Sequence, residues 1–505
     1  MTGHVFETDF PNEYESWDAV EPIALFAAPV VRVCKSGHVV KLLQAEAKGV
    51  DYLVLWLDCD REGENICFEV IDCVKPEMAH GQRSKQTIFR AHFSAITPQD
   101  IQLAMKRLGE PNKNESMAVE ARQELDLKVG VAFSRFQTRY FQGKYTDLDA
   151  RCISYGPCQT PTLGFCVQRH LDIMQFCPEP FWTIEIKATQ NGTVCTFEWA
   201  RGRIFDQAVC TSIHATLAGE STLRVDAVEQ KEVKKGRPTP MNTVEMLKAA
   251  SKALGIGPHQ AMNAAEHLYL NGYLSYPRTE STAYPKSFDI AATLDQQAAH
   301  PTWGNFVTEL LAAGFQKPKG GVDMGDHPPI TPCRAARPGE LHGNEAQMYE
   351  LVTRHFIASV SPDALFLQTK VSAVVAEEHF ELSGKELIEP GWLAVTRSYK
   401  PDEHKSFPSF TEGDEVSLCS DQVTLKDGMT QPPGYLTEAD LIGIMEQNGI
   451  GTDASIPSHI KNICDRNYVT TEAGRTLVPT QLGIVLVQGY HRIDPDLVLP
   501  KVPSP

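Results

Sequence analysis

No apolar run in this sequence approaches the roughly 20 residues that a membrane-spanning helix needs; the conspicuous one, Tyr52–Leu57, has six. A membrane partner is therefore not expected. The opening MTGHVFETDF lacks the basic flank and apolar stretch of a secretory signal, so an intracellular location is expected. The 13 cysteines include no C-x-x-C pair, which argues against a zinc ribbon or a disulfide frame and for free thiols. Basic charge is also short. Lys and Arg number 47 against 64 Asp and Glu, a net charge of −17, so a nucleic-acid partner must be met by a local basic groove rather than the global field. No repeat of fixed period and no long low-complexity tract is present.

What remains is a chain of 505 residues with 42% hydrophobic and 22% charged residues, enough for several ordinary folded domains. The run Tyr52–Leu57 reads as a buried strand, and Ile66, Val70 and Val74 recur at helical spacing after it, a strand-to-helix unit of a parallel sheet. Helical periodicity dominates 98–170, with the basic and aromatic string RFQTRYFQGKY. Alternating segments such as TIEIKAT and TLRVDAVEQ predict strands over about 180–232. After the connector KKGRPTP, Asn242 and Glu245 have capping-box spacing for a helix carrying Leu247, Ala250 and Leu254; a second helix is expected from Pro258 to Gly272. Alternation returns over 366–425, and Thr437-x-x-Asp440 caps a final helical stretch. A β-rich region that resumes after helices implies one domain interrupted by another.

Three clusters carry chemistry. Asp58-Cys59-Asp60-Arg61-Glu62 follows the apolar strand, where open α/β sheets gather ligands. Carboxylates at i and i+2 of an extended segment point the same way and, with Glu62, suit a hard cation such as Mg²⁺; the bland alternative is an acidic helix start favoured by the macrodipole. Tyr276 precedes Pro277, which keeps it extended. As a nucleophile its phenol needs proton removal and nearby positive charge, and Arg278 lies on the same side of an extended chain; the alternative is a packed edge segment. His327, between Asp326 and two prolines, suits phosphate binding or proton handling, or is a capped loop histidine.

The strings DCDREGENI, SYGPCQTPTLGF, NGYLSYPRTE, GDHPPITP and GIGTDASIP, in that order, resemble the type IA DNA topoisomerases, and closely the beta subgroup of the eukaryotic topoisomerases III. The resemblance runs from about Gly3 to Lys501. It implies a multidomain toroid mixing α/β, α and β parts: a partial Toprim domain over 1–98, a helical base over 99–175 and 426–505, a β-rich arch over 176–235 and 366–425, and a helical gate over 236–365 that bears the nucleophile. It implies cleavage of a single strand with a 5′-phosphotyrosyl intermediate, strand passage and religation without ATP. Tyr276 is then the nucleophile, Arg278 and His327 serve the scissile phosphate, and Asp58, Asp60 and Glu62 form the acidic triad that carries Mg²⁺. His4, Arg122, Gln123, Asp126, Gln159, Thr452 and Asp453 fall on elements that meet nucleic acid in the family; Arg135, Arg139, Tyr140 and Lys144 add basic and aromatic groups. Single-stranded DNA is the expected partner, with RNA as an alternative and a Tudor-domain scaffold protein as a further one; the expected location is the nucleus, with the cytoplasm second.

The family's first Toprim strand carries a glutamate and a lysine in a Glu-Lys-Pro-Ser-type sequence, whereas this sequence starts at the later Gly-His element. The expectation is a chain truncated at both ends and impaired in turnover, either an incomplete gene model or a short binding product. A Toprim nuclease or primase would share the acidic strand end without needing Tyr-Pro-Arg.

Overall fold

The computed structural model describes residues 3–17, 20–79, 86–142, 152–318, 320–397 and 408–498, apart from the side chains of 419–422. Near the N-terminus, β1 (Phe6–Asp9) pairs antiparallel with β2 (Val31–Cys34), and β3 (Leu53–Leu55) pairs parallel with β4 (Ile88–Arg90). The expected strand over Tyr52–Leu57 is thus shorter, and its ends are not buried: Tyr52 and Trp56 are exposed and lean on Phe89 and Phe93. Helix Arg61–Val74 follows because Asp60 caps it, its carboxylate accepting from the Gly63 amide at 2.7 Å. Glu62 and Glu64 fill the first turn, and Ile66, Cys67, Val70, Ile71 and Val74 are buried beside Leu55 and Ala47. Gly63 is required by close approach, since a Cβ there would lie 1.9 Å from the Asp58 carbonyl oxygen.

Six strands form one closed barrel: β5 (Pro180–Gln190), β6 (Thr193–Trp199), β7 (Thr222–Lys235), β8 (Ala364–Val375), β9 (Glu378–Glu389) and β10 (Glu415–Met429). Their order is β10-β5-β6-β9-β8-β7, every pairing is antiparallel, and β7 closes on β10. Alternation puts Ile184, Ile186, Phe197, Leu223, Val371 and Phe380 inside, where helix Gln207–Leu217 adds Cys210 and Leu217. The strands expected on either side of the helical insertion therefore pair with each other.

Between β7 and β8 lie helices Thr243–Ala249, Pro258–Leu270, Ile290–Asp295, Gly304–Ala313 and Gly343–Ser359. Asn242 accepts from the Glu245 amide, but the helix it starts does not run regularly to Leu254: Ala250–Leu254 is a π turn that ends at Gly255, in the left-handed region at φ 66°. Proline at the first helical position starts Pro258–Leu270. These helices share one core with Gln159–Gln175, Glu438–Gln447, Ile456–Asp465 and Gln481–Ile493, in which Leu163, Leu268, Leu441, Ile460 and Leu486 all lie. The capping box of Thr437 and Asp440 is present, and β11 (Val469–Glu472) and β12 (Thr476–Pro479) form a terminal hairpin.

Candidate active site

The acidic strand end is built around a cation that the sequence did not single out. Arg90, the last residue of β4, is fully buried. Its guanidinium donates to the carbonyls of Leu57 (2.6 Å), Asp58 (2.7 Å) and Ala91 (3.0 Å) and to Glu64 Oε1 at 2.7 Å. Glu64 Oε2 in turn accepts from the Asn112 amide at the start of helix Lys113–Phe141. Arg90 thereby satisfies backbone acceptors that the turn leaves open and fixes the loop from which Asp58 and Asp60 project. Its motif-free setting, TIFRAH, holds no signal for this role.

Against this loop packs the segment that leaves helix Pro258–Leu270. Tyr276 is 4% exposed. Its hydroxyl donates to Asp60 Oδ2 at 2.5 Å and its amide to the Ser94 carbonyl at 2.9 Å. Tyr269 donates to Asp58 Oδ1 at 2.9 Å. Burial, then the Asp60 charge, push the Tyr276 phenol far above its ordinary range. Burial also raises the Asp58 carboxyl, with Asp60 adding to the rise and the Tyr269 bond opposing it. Arg278 lies 4.0 Å from Asp60 Oδ2 and is held by Glu266, with bonds of 3.0 and 2.5 Å to one carboxylate oxygen.

His327 is 5% exposed, and its ring centre is 4.6 Å from that of Tyr276. Nε2 lies 2.9 Å from the Cys59 carbonyl and Nδ1 2.9 Å from Ser94 Oγ. A carbonyl only accepts, so Nε2 carries the proton, and burial, which lowers the imidazole pKa, leaves Nδ1 to accept from the serine. The tyrosine and histidine loops are joined by buried hydroxyls: Thr243 Oγ1 donates to the Pro277 carbonyl and accepts from the Thr279 amide, both at 2.8 Å, and Thr279 Oγ1 donates to the His327 carbonyl at 2.7 Å.

Glu62 departs from the expected triad. One carboxylate oxygen accepts from Arg122 at 2.5 Å and the other lies 3.1 Å from His4 Nε2, because Glu62 lies in the first helical turn facing helix Lys113–Phe141 rather than along the strand. His4 also reaches Glu69 at 3.0 Å, and these two bonds raise the imidazole to about 9 while Glu62 is lowered, chiefly by His4. Among the described residues, no three metal-ligating side chains converge. Asp58 and Asp60 still suit a hard cation: they are like-charged carboxylates two residues apart at one strand end, each with an oxygen that a tyrosine hydroxyl meets, Tyr269 at Asp58 and Tyr276 at Asp60.

The remaining expected contacts divide. Arg122 pairs with Asp126 at 3.1 Å beside Glu62, and Gln123 accepts from Thr8 at 3.4 Å. Gln159, the first residue of helix Gln159–Gln175, is buried rather than open to a groove: it is 4% exposed, accepts from Arg466 and donates to the Ser154 carbonyl. Near Thr452 and Asp453, backbone amides that could otherwise meet a phosphate are already satisfied, Thr452 N by Ser455 Oγ and Ala454 N by Asp453 Oδ1, both at 2.8 Å. Arg135 is buried and donates to the carbonyls of Tyr14, Glu15 and Ser16, holding the N-terminal segment on the long helix. Arg139 lies 3.5 Å from Glu21, Tyr140 is exposed, and Lys144 lies outside the described residues.

Comparison with known proteins agrees with this geometry. Residues 1–96 match the Toprim domain and residues 110–504 the DNA topoisomerase family. The chain is 51% identical over 508 residues to DNA topoisomerase 3-beta-1 of Mus musculus, covering 100% of this chain and 59% of that protein. It is 50% identical over 506 residues to DNA topoisomerase 3-beta of Arabidopsis thaliana, covering 100% and 58%. The chain thus spans less than two thirds of these relatives. The solved full-length topoisomerase I from Thermotoga maritima shares the fold, with a TM-score of 0.76 at 23% identity over 99% of this chain and 80% of that one. With Tyr276, on the segment after helix Pro258–Leu270, meeting Asp60 inside the Toprim match, and matches along nearly its whole length, the chain belongs to the type IA DNA topoisomerase family.

Proposed function

We propose that this chain cleaves and reseals single-stranded DNA through Tyr276, and that a second strand passing through the break changes DNA topology. The observation that carries the reading is the 2.5 Å bond from the Tyr276 hydroxyl to Asp60, with Arg278 and His327 beside it. In the reaction the phenolic oxygen bonds to phosphorus, the bond from phosphorus to the 3′ oxygen breaks, and that oxygen leaves as a hydroxyl. The covalent link keeps the phosphodiester energy, so religation needs no ATP.

In the closed arrangement the phenol is buried and its proton faces a carboxylate, which holds it un-nucleophilic. Entry of a strand must separate Tyr276 from Asp60. Arg278, once it turns from Glu266, supplies a fixed positive charge for the phosphate during attack. His327, neutral and donating from Nε2, offers that donor to a phosphate oxygen when the Cys59 carbonyl releases it. Asp58 and Asp60 would hold Mg²⁺, which when bound supplies charge that stabilises the leaving 3′ oxygen.

The test is a denaturing gel of this chain incubated with end-labelled single-stranded DNA and Mg²⁺, beside an RNA strand of the same sequence. A retarded protein–DNA adduct that disappears in Tyr276→Phe is expected. An adduct that survives in Tyr276→Phe removes the nucleophile assignment, and cut strands without attached protein turn the reading toward a nuclease.

A further inference from the structure

Two phenols on one segment meet two carboxylates on another. Tyr269, in the last turn of helix Pro258–Leu270, is 2% exposed and donates to Asp58 Oδ1; Tyr276, seven residues on, donates to Asp60 Oδ2. Their rings stand 5.1 Å apart at 68°, edge to face. Cleavage as described above has a use for Tyr276 and none for Tyr269, although a purely apolar ring would fill the same space without placing a hydroxyl on a carboxylate.

Resting on that reading of the site, we propose that Tyr269 is a positioning residue: its hydroxyl holds Asp58 while the tyrosine segment is closed on the acidic loop, and gives Asp58 up when a divalent cation takes it. Cation entry and release of the tyrosine segment are then one coupled step. The physical reason is competition for one carboxylate. The O–H dipole presents its positive end to Asp58, and a cation drawn to the same group repels that end while satisfying the charge. Among the described residues, the only other charged contact between the two segments is Arg278, 4.0 Å from Asp60 Oδ2 and held mainly by Glu266; the bonds from the Tyr276 amide to the Ser94 carbonyl and from His327 to Ser94 and the Cys59 carbonyl avoid the carboxylates and hold the closed form without responding to the ion. Because linkage is reciprocal, weakening the Tyr269 bond must tighten cation binding by the factor with which the cation weakens the closed form.

The experiment is a calorimetric Mg²⁺ titration of the full chain without nucleic acid, comparing wild type, Tyr269→Phe and Asp58→Asn. Tyr269→Phe keeps the ring and its packing, so the fold is retained. We expect it to bind Mg²⁺ about three- to tenfold more tightly, the scale of one hydrogen bond to a charged group, and Asp58→Asn to lose most of the binding. Hydrogen exchange over 269–278 is the second readout: Mg²⁺ speeds it in wild type, and Tyr269→Phe is already fast without the ion. Mg²⁺ affinity and exchange within about twofold of wild type, or undiminished binding in Asp58→Asn, overturn the proposal. The adduct gel fails or succeeds independently: a shift in Tyr269→Phe without any adduct leaves the latch standing and removes the cleavage reading.

Discussion

His4 shows what one side chain does for the site. It bridges Glu62 and Glu69, and Glu69 also accepts from the Val5 amide at 2.7 Å, so the N-terminal segment is held to the acidic helix by charge. Folding raises the imidazole from 6.5 to about 9. The folded state therefore binds the proton more tightly, and the contribution is full below the unfolded value and is lost as pH rises through about 9. The urea midpoint of wild type should exceed that of His4→Gln by about 1 kcal/mol equivalent near pH 6 and converge with it near pH 10; a gap independent of pH would remove the ion pairs from the account. The histidine was legible as a Gly-His element, but its partners were not, because Glu69 sits 65 residues away and no spacing rule links them.

At the scale of elements, the tyrosine and histidine loops behave as one unit because Thr243, the first residue of its helix and fully buried, ties Pro277 to Thr279, and Thr279 ties to His327. Thr243→Val keeps the shape and leaves the Thr279 amide buried without its acceptor, a loss of about 1–3 kcal/mol. We expect that destabilisation in urea unfolding together with slower adduct formation at unchanged affinity for single-stranded DNA, both restored by Thr243→Ser. Unchanged adduct rates would show that the loops are positioned without this hydroxyl. The helix itself was readable from Asn242 and Glu245, whereas the π turn that follows was not, since ASKAL favours a regular helix and only tertiary packing bends it.

Across the whole molecule, the barrel core and the helical core are separate clusters. Phe197→Ala, at a fully buried barrel position, should cost about 3–5 kcal/mol and speed hydrogen exchange in the barrel strands while helix Pro258–Leu270 keeps its protection. Equal acceleration in that helix would mean the two cores unfold together. The sequence by itself determined the barrel's alternation, the helix that carries Ile66, Val70 and Val74, the helix starts at Asn242, Pro258 and Thr437, and the residue types at the site, because periodicity, caps and proline act over a few neighbouring positions. Only the tertiary structure decided that Glu62 turns to Arg122, that Gln159 is buried, that Arg90 clamps the acidic loop and that Tyr276 meets Asp60 across 216 positions. Those outcomes depend on which charges and hydrogen-bonding groups are brought together after the chain has packed, and burial then requires each of them to find a partner.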